Sequence, residues 1–300
     1  MVSSASRFDK QPRSFLDIKS VPVLLCLDKI VYVQTAPERT DLNLEAMLNR
    51  RGLTPLQSVD RKDLSLIEAL STDHQDELYE RLKNYSFRLV LRDVIKQQTS
   101  FRPKELTRFC SLPKVKDHIT FLARLGLVHP VGKNFRLLTG PVKSFGDTLE
   151  WFMAKVFEKE FRAEVLWGIR LKNSARGGDF DLVACMEGEL VYVEVKSSPP
   201  KHIEQREVGS FLDRIEDLVP HIAIFFEDTE LRMKDKIVPM FEEVLRLRHG
   251  MEAAKRFPVT RLRNELFQIN HQVFIVNSKR DVIDNFRICF RDYWRNRIRI

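Results

Sequence analysis

The stretch Gly178–Ser198 reads GDFDLVACMEGELVYVEVKSS, and its reading decides the fold. Apolar and polar residues alternate along most of it, interrupted once at Glu187 and Gly188, a pair that can reverse the chain. This is the pattern of a β-hairpin. With Glu187 and Gly188 as the two central residues of a tight turn, Asp181 falls opposite Glu194 and Asp179 opposite Lys196. Residues two apart on a strand share a face, so Asp179, Asp181, Glu194 and Lys196 are expected on one side. Phe180, Leu182, Val193 and Val195 are expected on the other, toward a core.

Carboxylates forced together on a sheet repel, and a divalent cation offsets that cost. Hard oxygen donors with no Cys or His nearby favour magnesium, manganese or calcium over zinc. A lysine beside them can hold a phosphate or steady a developing charge, and the combination suits phosphodiester hydrolysis. The plain alternative is a solvated, charged hairpin face.

Asp181 followed by Glu194-Val195-Lys196 resembles the PD-(D/E)XK nuclease superfamily, which includes restriction endonucleases, archaeal Holliday junction resolvases and RecB-type nucleases. Members of the resolvase and Mrr-like groups carry a helical Glu before the first core strand, often four residues after a Gly. Gly146-Asp147-Thr148-Leu149-Glu150 stands in that place. The resemblance covers roughly residues 141–230, and its motifs are short. The Pro that precedes the Asp in the family's pattern is replaced by Phe180. The resemblance implies that Asp181 and Glu194 hold Mg²⁺ or Mn²⁺, with Glu150 and the backbone carbonyl of Val195 as further ligands. It implies products with a 5′ phosphate and a 3′ hydroxyl. Lys196 would position or deprotonate the attacking water, which as a base requires its pKa to fall. Asp179 is expected to stand behind this set, holding Lys196 across the strands. A Gln on the following helix, Gln205, is a weaker candidate for the same supporting role.

The chain has 300 residues, 43% hydrophobic and 31% charged, with a net charge of +8. This excludes a disordered or membrane-embedded chain and suits a polyanionic partner. Cys26, Cys110, Cys185 and Cys289 are far apart, with no CxxC or Cys/His cluster, so neither structural zinc nor a disulfide framework is expected. No apolar leader and no long apolar run stands in the sequence. The expectation is a cytoplasmic protein, associated with the nucleoid if prokaryotic, without a membrane partner.

Residues 1–72 read as an α+β docking module, with a hairpin Val21–Leu27 and Ile30–Gln34, a helix capped by Asp41 and a second amphipathic stretch Asp63–Leu70. A protein partner or self-association is the expectation for it. Residues 73–140 carry a helical stripe through Leu78, Leu82, Leu89 and Ile95, then a short helix, then one with Val115, Ile119, Leu122 and Leu125 on one face. Val128–Leu138 reads as a two-stranded wing with Lys133 at its tip. This order resembles a winged helix, which lays its last helix in the DNA major groove and touches phosphates with the wing. Lys114, Lys116, Thr120, Arg124 and Lys133 would then meet DNA.

Residues 141–300 form the nuclease-like domain on this reading. Leu149, Phe152, Met153, Val156 and Phe157 give a core-facing helix, flanked by Glu150. A first strand, Val165–Lys172, precedes a polar loop with Arg176, suited to a phosphate backbone. After a helix near His202–Leu218, His221–Glu227 reads as a buried strand parallel to the second hairpin strand. Helix Met233–Arg248 and a last strand, Gln272–Val276, follow. The C-terminal helix sets Arg287, Arg291 and Arg295 in a row that can track phosphates. The expected class is α/β, a mixed central sheet flanked by helices, with an N-terminal α+β part. The expected function is metal-dependent hydrolysis of duplex or branched DNA, endonucleolytic rather than exonucleolytic, in a homodimer if both strands are cut. An inactive nuclease-fold regulator or scaffold is the alternative.

Overall fold

The computed structural model describes residues 43–56, 65–175 and 177–297. The expected hairpin Val21–Leu27 and Ile30–Gln34, Asp41 and Arg176 lie outside the described residues, but the cap expected of Asp41 is supplied to helix Leu44–Asn49 by Asn43, which accepts the N–H of Ala46 at 2.7 Å. Asp41–Ile300 forms one compact unit.

In chain order the elements are α1 (Leu44–Asn49), β1 (Thr54–Leu56), α2 (Ser65–Glu68), α3 (Thr72–Leu82), α4 (Tyr85–Lys96), α5 (Leu112–Arg124), β2 (Val128–Val131), β3 (Asn134–Leu137), α6 (Gly146–Glu160) and β4 (Glu164–Lys172). Then follow β5 (Asp179–Met186), β6 (Glu189–Lys196), α7 (Gln205–Leu218), β7 (Ile222–Glu227), α8 (Ile237–Arg256), β8 (Thr260–Arg263), β9 (Leu266–Ile269), β10 (Val273–Asn277) and α9 (Val282–Arg297). Eight strands form one sheet in the order β1-β4-β5-β6-β7-β10-β9-β8. The β6–β7 and β7–β10 pairs are parallel and the rest antiparallel, so the sheet is mixed.

The central hairpin takes the expected register, with Leu182 opposite Val193 and Met186 opposite Glu189. Glu187 (φ 51°) and Gly188 (φ 79°) both adopt left-handed backbone, which a two-residue turn of the I′ type requires. Strand β7 is buried along its whole length, as a strand flanked on both edges and covered on both faces must be.

Each face of the sheet has its own core. Helices α3, α4, α5, α6 and α9 cover the first face, and α1, α7 and α8 the second. The first face is knit by aromatic rings at the end of α6 and along α9: Phe161, just after α6, meets Phe290 edge to face at 5.0 Å, and Phe157 meets Phe286 tilted at 5.6 Å. Strand β1 forms one edge of the sheet, and Glu164 at the head of β4 accepts the N–H of Leu44 at 2.7 Å.

The helical stripe from Asp73 to Gln98 is two helices rather than one. Asn84 separates α3 from α4 and caps α4 by accepting the N–H of Ser86 at 3.0 Å. Leu112–Arg124 then packs Val115, Ile119 and Leu122 inward, and the β2–β3 hairpin follows it. A second hairpin, β8 and β9, closes the far edge of the sheet and had no counterpart in the sequence reading.

Candidate active site

Strands β4 and β5 change the face they present at one level, while β6 does not. Val165 and Trp167 of β4 pack toward the first core, but Ile169 and Leu171 lie in the second. On β5, Leu182 and Ala184 belong to the first core and Phe180 to the second. The switch falls at Gly168 (φ 55°) and Asp181, the pair absent from an otherwise continuous β4–β5 ladder. Glycine tolerates that backbone without strain, which lets the strand turn over. Strands β5 and β6 part at the same level, since their last pair is Leu182 with Val193.

Asp181 sits in that opening. Its Oδ2 accepts the N–H of Val195 at 2.7 Å, replacing the backbone partner that β5 no longer supplies. Both polar backbone groups of a strand residue leave toward the same neighbour, so the Val195 carbonyl faces this opening too. Burial, then the charges of Glu194 and Glu150, push the Asp181 carboxyl well above its usual range. Glu150, on α6, lies flanking the buried stripe as expected. Burial first, then Asp147 and Glu194, raise its carboxyl to about 7.

Glu194 is only 2% exposed and is held by three groups. Arg214 Nη1 of α7 reaches both its oxygens, at 3.0 and 2.8 Å. The Lys196 ammonium lies 2.8 Å from Oε1. The Tyr192 hydroxyl donates to Oε2. Lys196 also lies 3.7 Å from Glu207 of α7. The lowered lysine expected of a general base is not found. Burial works against its charge, but Glu194, Asp181 and Glu207 outweigh burial and raise the pKa of Lys196 above its ordinary value. Lys196 is therefore a firm cation in this setting.

The face switch also corrects the placement of Phe180 and Asp179. Phe180 stacks edge to face on Tyr192 at 5.6 Å, on the second face, rather than siding with Leu182 and Val195. Asp179 turns to Arg170 across β4, at 2.5 Å, instead of holding Lys196. The ladder that would have brought Asp179 to Lys196 has already ended. Gln205 opens α7 and is exposed; the α7 side chains at the cluster are Glu207 and Arg214. Those two are seven residues apart, two helical turns on one face, and this spacing was the available signal. Tyr192 was readable too, as it shares a strand face with Glu194.

Glu227, at the end of β7, was not readable. The parallel register places it beside Lys196. It is fully buried, neither carboxyl oxygen has a hydrogen-bond partner, and its pKa is raised to about 8, chiefly by burial.

The expected nucleic-acid residues are spread over several surfaces. Lys114, Lys116 and Thr120 are exposed on α5, and Lys133 is exposed at the tip of the β2–β3 hairpin. Arg124 is engaged with Glu77 of α3, and Asp117 beside it with Arg81. On α9, Arg287 pairs with Asp284 at 2.9 Å, while Arg291 and Arg295 are exposed.

Among the described residues, no group of three or more His, Cys, Asp or Glu side chains is arranged to hold a metal ion, and no helix is long and apolar enough to cross a membrane. The donor chemistry of the opening fits a hard divalent cation. Burial first, and crowded negative charge second, raise the Asp181 and Glu150 carboxyls, and a cation would offset the crowding. Glu194 is already paired with Arg214 and Lys196.

The fold defines an α/β protein with a mixed central sheet flanked by helices. No family model and no curated protein matches the chain. Among solved structures, Can2 from Sulfobacillus thermosulfidooxidans, in complex with cyclic tetra-adenylate, is similar with a TM-score of 0.36 and 14% identity, over 61% of this chain and 50% of that one. Protein VC1899 from Vibrio cholerae is similar with a TM-score of 0.39 and 11% identity, over 70% of this chain and 61% of that one. The chain thus spans between half and about three fifths of the length of these two proteins.

Proposed function

We propose that the chain is a metal-dependent nuclease that hydrolyses phosphodiester bonds of DNA, with the α3–α5 helices and the β2–β3 hairpin serving as a winged helix that grips the substrate. The observation that carries this reading is the meeting of Asp181, Glu194 and Lys196 where β5 and β6 part, with Glu150 lending its charge. Asp181, the Val195 carbonyl and Glu194 would hold Mg²⁺ or Mn²⁺, and Glu150 would lie beside it. The cation would supply Lewis acidity at the scissile phosphate.

The protein's own groups divide the remaining work. Lys196, kept protonated by the surrounding acids, steadies negative charge on the phosphorane oxygens. Glu150, beside the cation, would take the proton of the attacking water. Arg214 and Tyr192 fix the Glu194 carboxylate so that it does not swing on its stem.

The experiment is plasmid incubation with Mg²⁺ or Mn²⁺, comparing the native chain with Lys196→Ala and Asp181→Asn. Cutting by the native chain alone supports the reading. Equal cutting by all three traces to a contaminant and refutes it. One observation favours a second reading, a silent nuclease fold acting in regulation. Arg214 occupies both oxygens of Glu194, as a cation substitute would. Binding of DNA without cutting by any of the three proteins would select that alternative.

A further inference from the structure

A cleft of about 1300 Å³ reaches the first turn of α5 at Lys114 and does not run along α9. It runs between α4 and the segment Ser197–His202, which follows Lys196 directly in the chain. Small-molecule pockets are commonly about 300–1,000 Å³, so this cleft has room for something longer.

Its lining is basic. Lys96, Arg108, Lys114, Lys201 and Arg280 line it, all are exposed, and none makes an ion pair among the described residues. The acids that line it are fewer: Asp93, Glu230 and Asp228, the last of which is buried against Arg88 at 2.9 Å. A water-filled cleft lined by one sign of charge concentrates ions of the other sign.

An aromatic ring stands among these cations. Phe109 is 38% exposed, with the Arg108 and Arg92 guanidinium groups 5.3 and 5.7 Å from its centre. Arg92 in turn donates to the carbonyl of Ser197 at 3.0 Å, tying α4 to the far wall. A ring beside cations is the platform on which unpaired bases stack while their phosphates meet the charges. In a duplex the base faces are covered by their neighbours, so this platform selects unpaired nucleotides.

We propose that this cleft holds a single-stranded stretch of nucleic acid, with a base on Phe109 and its backbone against Lys96, Arg108, Lys114, Lys201 and Arg280, leading it to the opening between β5 and β6. The cleft's role as an approach rests on the reading of that opening as a hydrolytic centre. Its role in binding does not.

The test is fluorescence anisotropy of a labelled oligonucleotide in EDTA, with single-stranded DNA, single-stranded RNA and duplex DNA as separate arms. The native chain is expected to prefer a single strand, and the DNA and RNA arms tell which sugar it takes. Phe109→Ala weakens single-strand binding roughly tenfold and leaves duplex binding unchanged. Arg108→Glu combined with Lys201→Glu weakens binding and lowers the slope of log affinity against log salt by about 1.4, the share of two phosphate contacts. Lys255→Glu combined with Arg256→Glu, exposed on α8 and outside the cleft, stays within about twofold of the native chain. Thermal melts of each variant matching the native chain exclude misfolding.

The proposal is overturned if the native chain prefers duplex, if it binds no single strand, or if the cleft variants bind as it does. The hydrolytic reading fails separately, when single strands bind in the cleft and no phosphodiester is cut with Mg²⁺ or Mn²⁺.

Discussion

Replacing Glu227 by Gln changes one atom in a site with no solvent and no partner for either carboxyl oxygen. Burial is the main force that raises this carboxyl from 4.5 to about 8; Lys236 opposes it, while Glu207 and Asp228 add to it. In the unfolded chain the group ionises near 4.5. Between that pH and about 8 the native state therefore binds more protons than the unfolded state, so stability falls as pH rises. Below 4.5 both states are protonated and nothing is lost; above about 8 the full cost is present. At about 1.4 kcal/mol per pH unit, that cost reaches about 5 kcal/mol. Gln does not ionise, so the variant escapes this slope while keeping nearly the same shape. Urea unfolding of both proteins at intervals from about pH 4 to about pH 9 measures it. The two stabilities are expected to lie close at the acidic end and to diverge steadily, with Glu227→Gln the more stable by several kcal/mol at the alkaline end. Parallel curves across this range would refute the reasoning, for they would mean that Glu227 meets water or a cation that the fold does not reveal.

Asp228→Ala leaves Arg88, 1% exposed, without its carboxylate and is expected to cost about 3–5 kcal/mol in urea unfolding. Glu187→Asn relieves a left-handed backbone (φ 51°) in the central turn and should raise stability by about 0.5–1 kcal/mol, read as a higher urea midpoint at unchanged slope. Mn²⁺ at about a hundredfold its dissociation constant should stabilise the native chain by about 2.7 kcal/mol, reversed by EDTA and absent in Asp181→Asn. Arg214→Gln withdraws the guanidinium from Glu194, so its melting temperature should rise more on adding Mn²⁺ than that of the native chain. An equal rise in both would mean that Arg214 does not compete with the ion.

What the sequence disclosed and what it withheld divide along one physical line. The hairpin register was legible because a two-residue turn with Gly188 sets every pair that follows, and the α6 stripe was legible because its period is local. The α/β class followed from the order of such segments. The environment of Asp181 was not legible, because alternation predicts faces only while a strand keeps its twist. Gly168 breaks that rule on a different strand, opposite Asp181, and no pattern within β5 announces it. That one turnover separates Asp179 from Lys196 and parts β5 from β6. It also exposes the backbone of Val195 to a carboxylate in place of a strand. Glu227 was hidden for a related reason, since its neighbour comes from parallel pairing that is set by distant residues. The β8–β9 hairpin was hidden by its composition: β8 is largely exposed and rich in arginine, and it turns at Asn264 (φ 51°) without a glycine. The charges of the candidate site are thus local in sequence, but their spacing is a property of the sheet. A substitution at Gly168 should disturb Asp181 more than many changes closer to it along the chain, because any side chain there must enter left-handed backbone or restore the ladder that closes the opening.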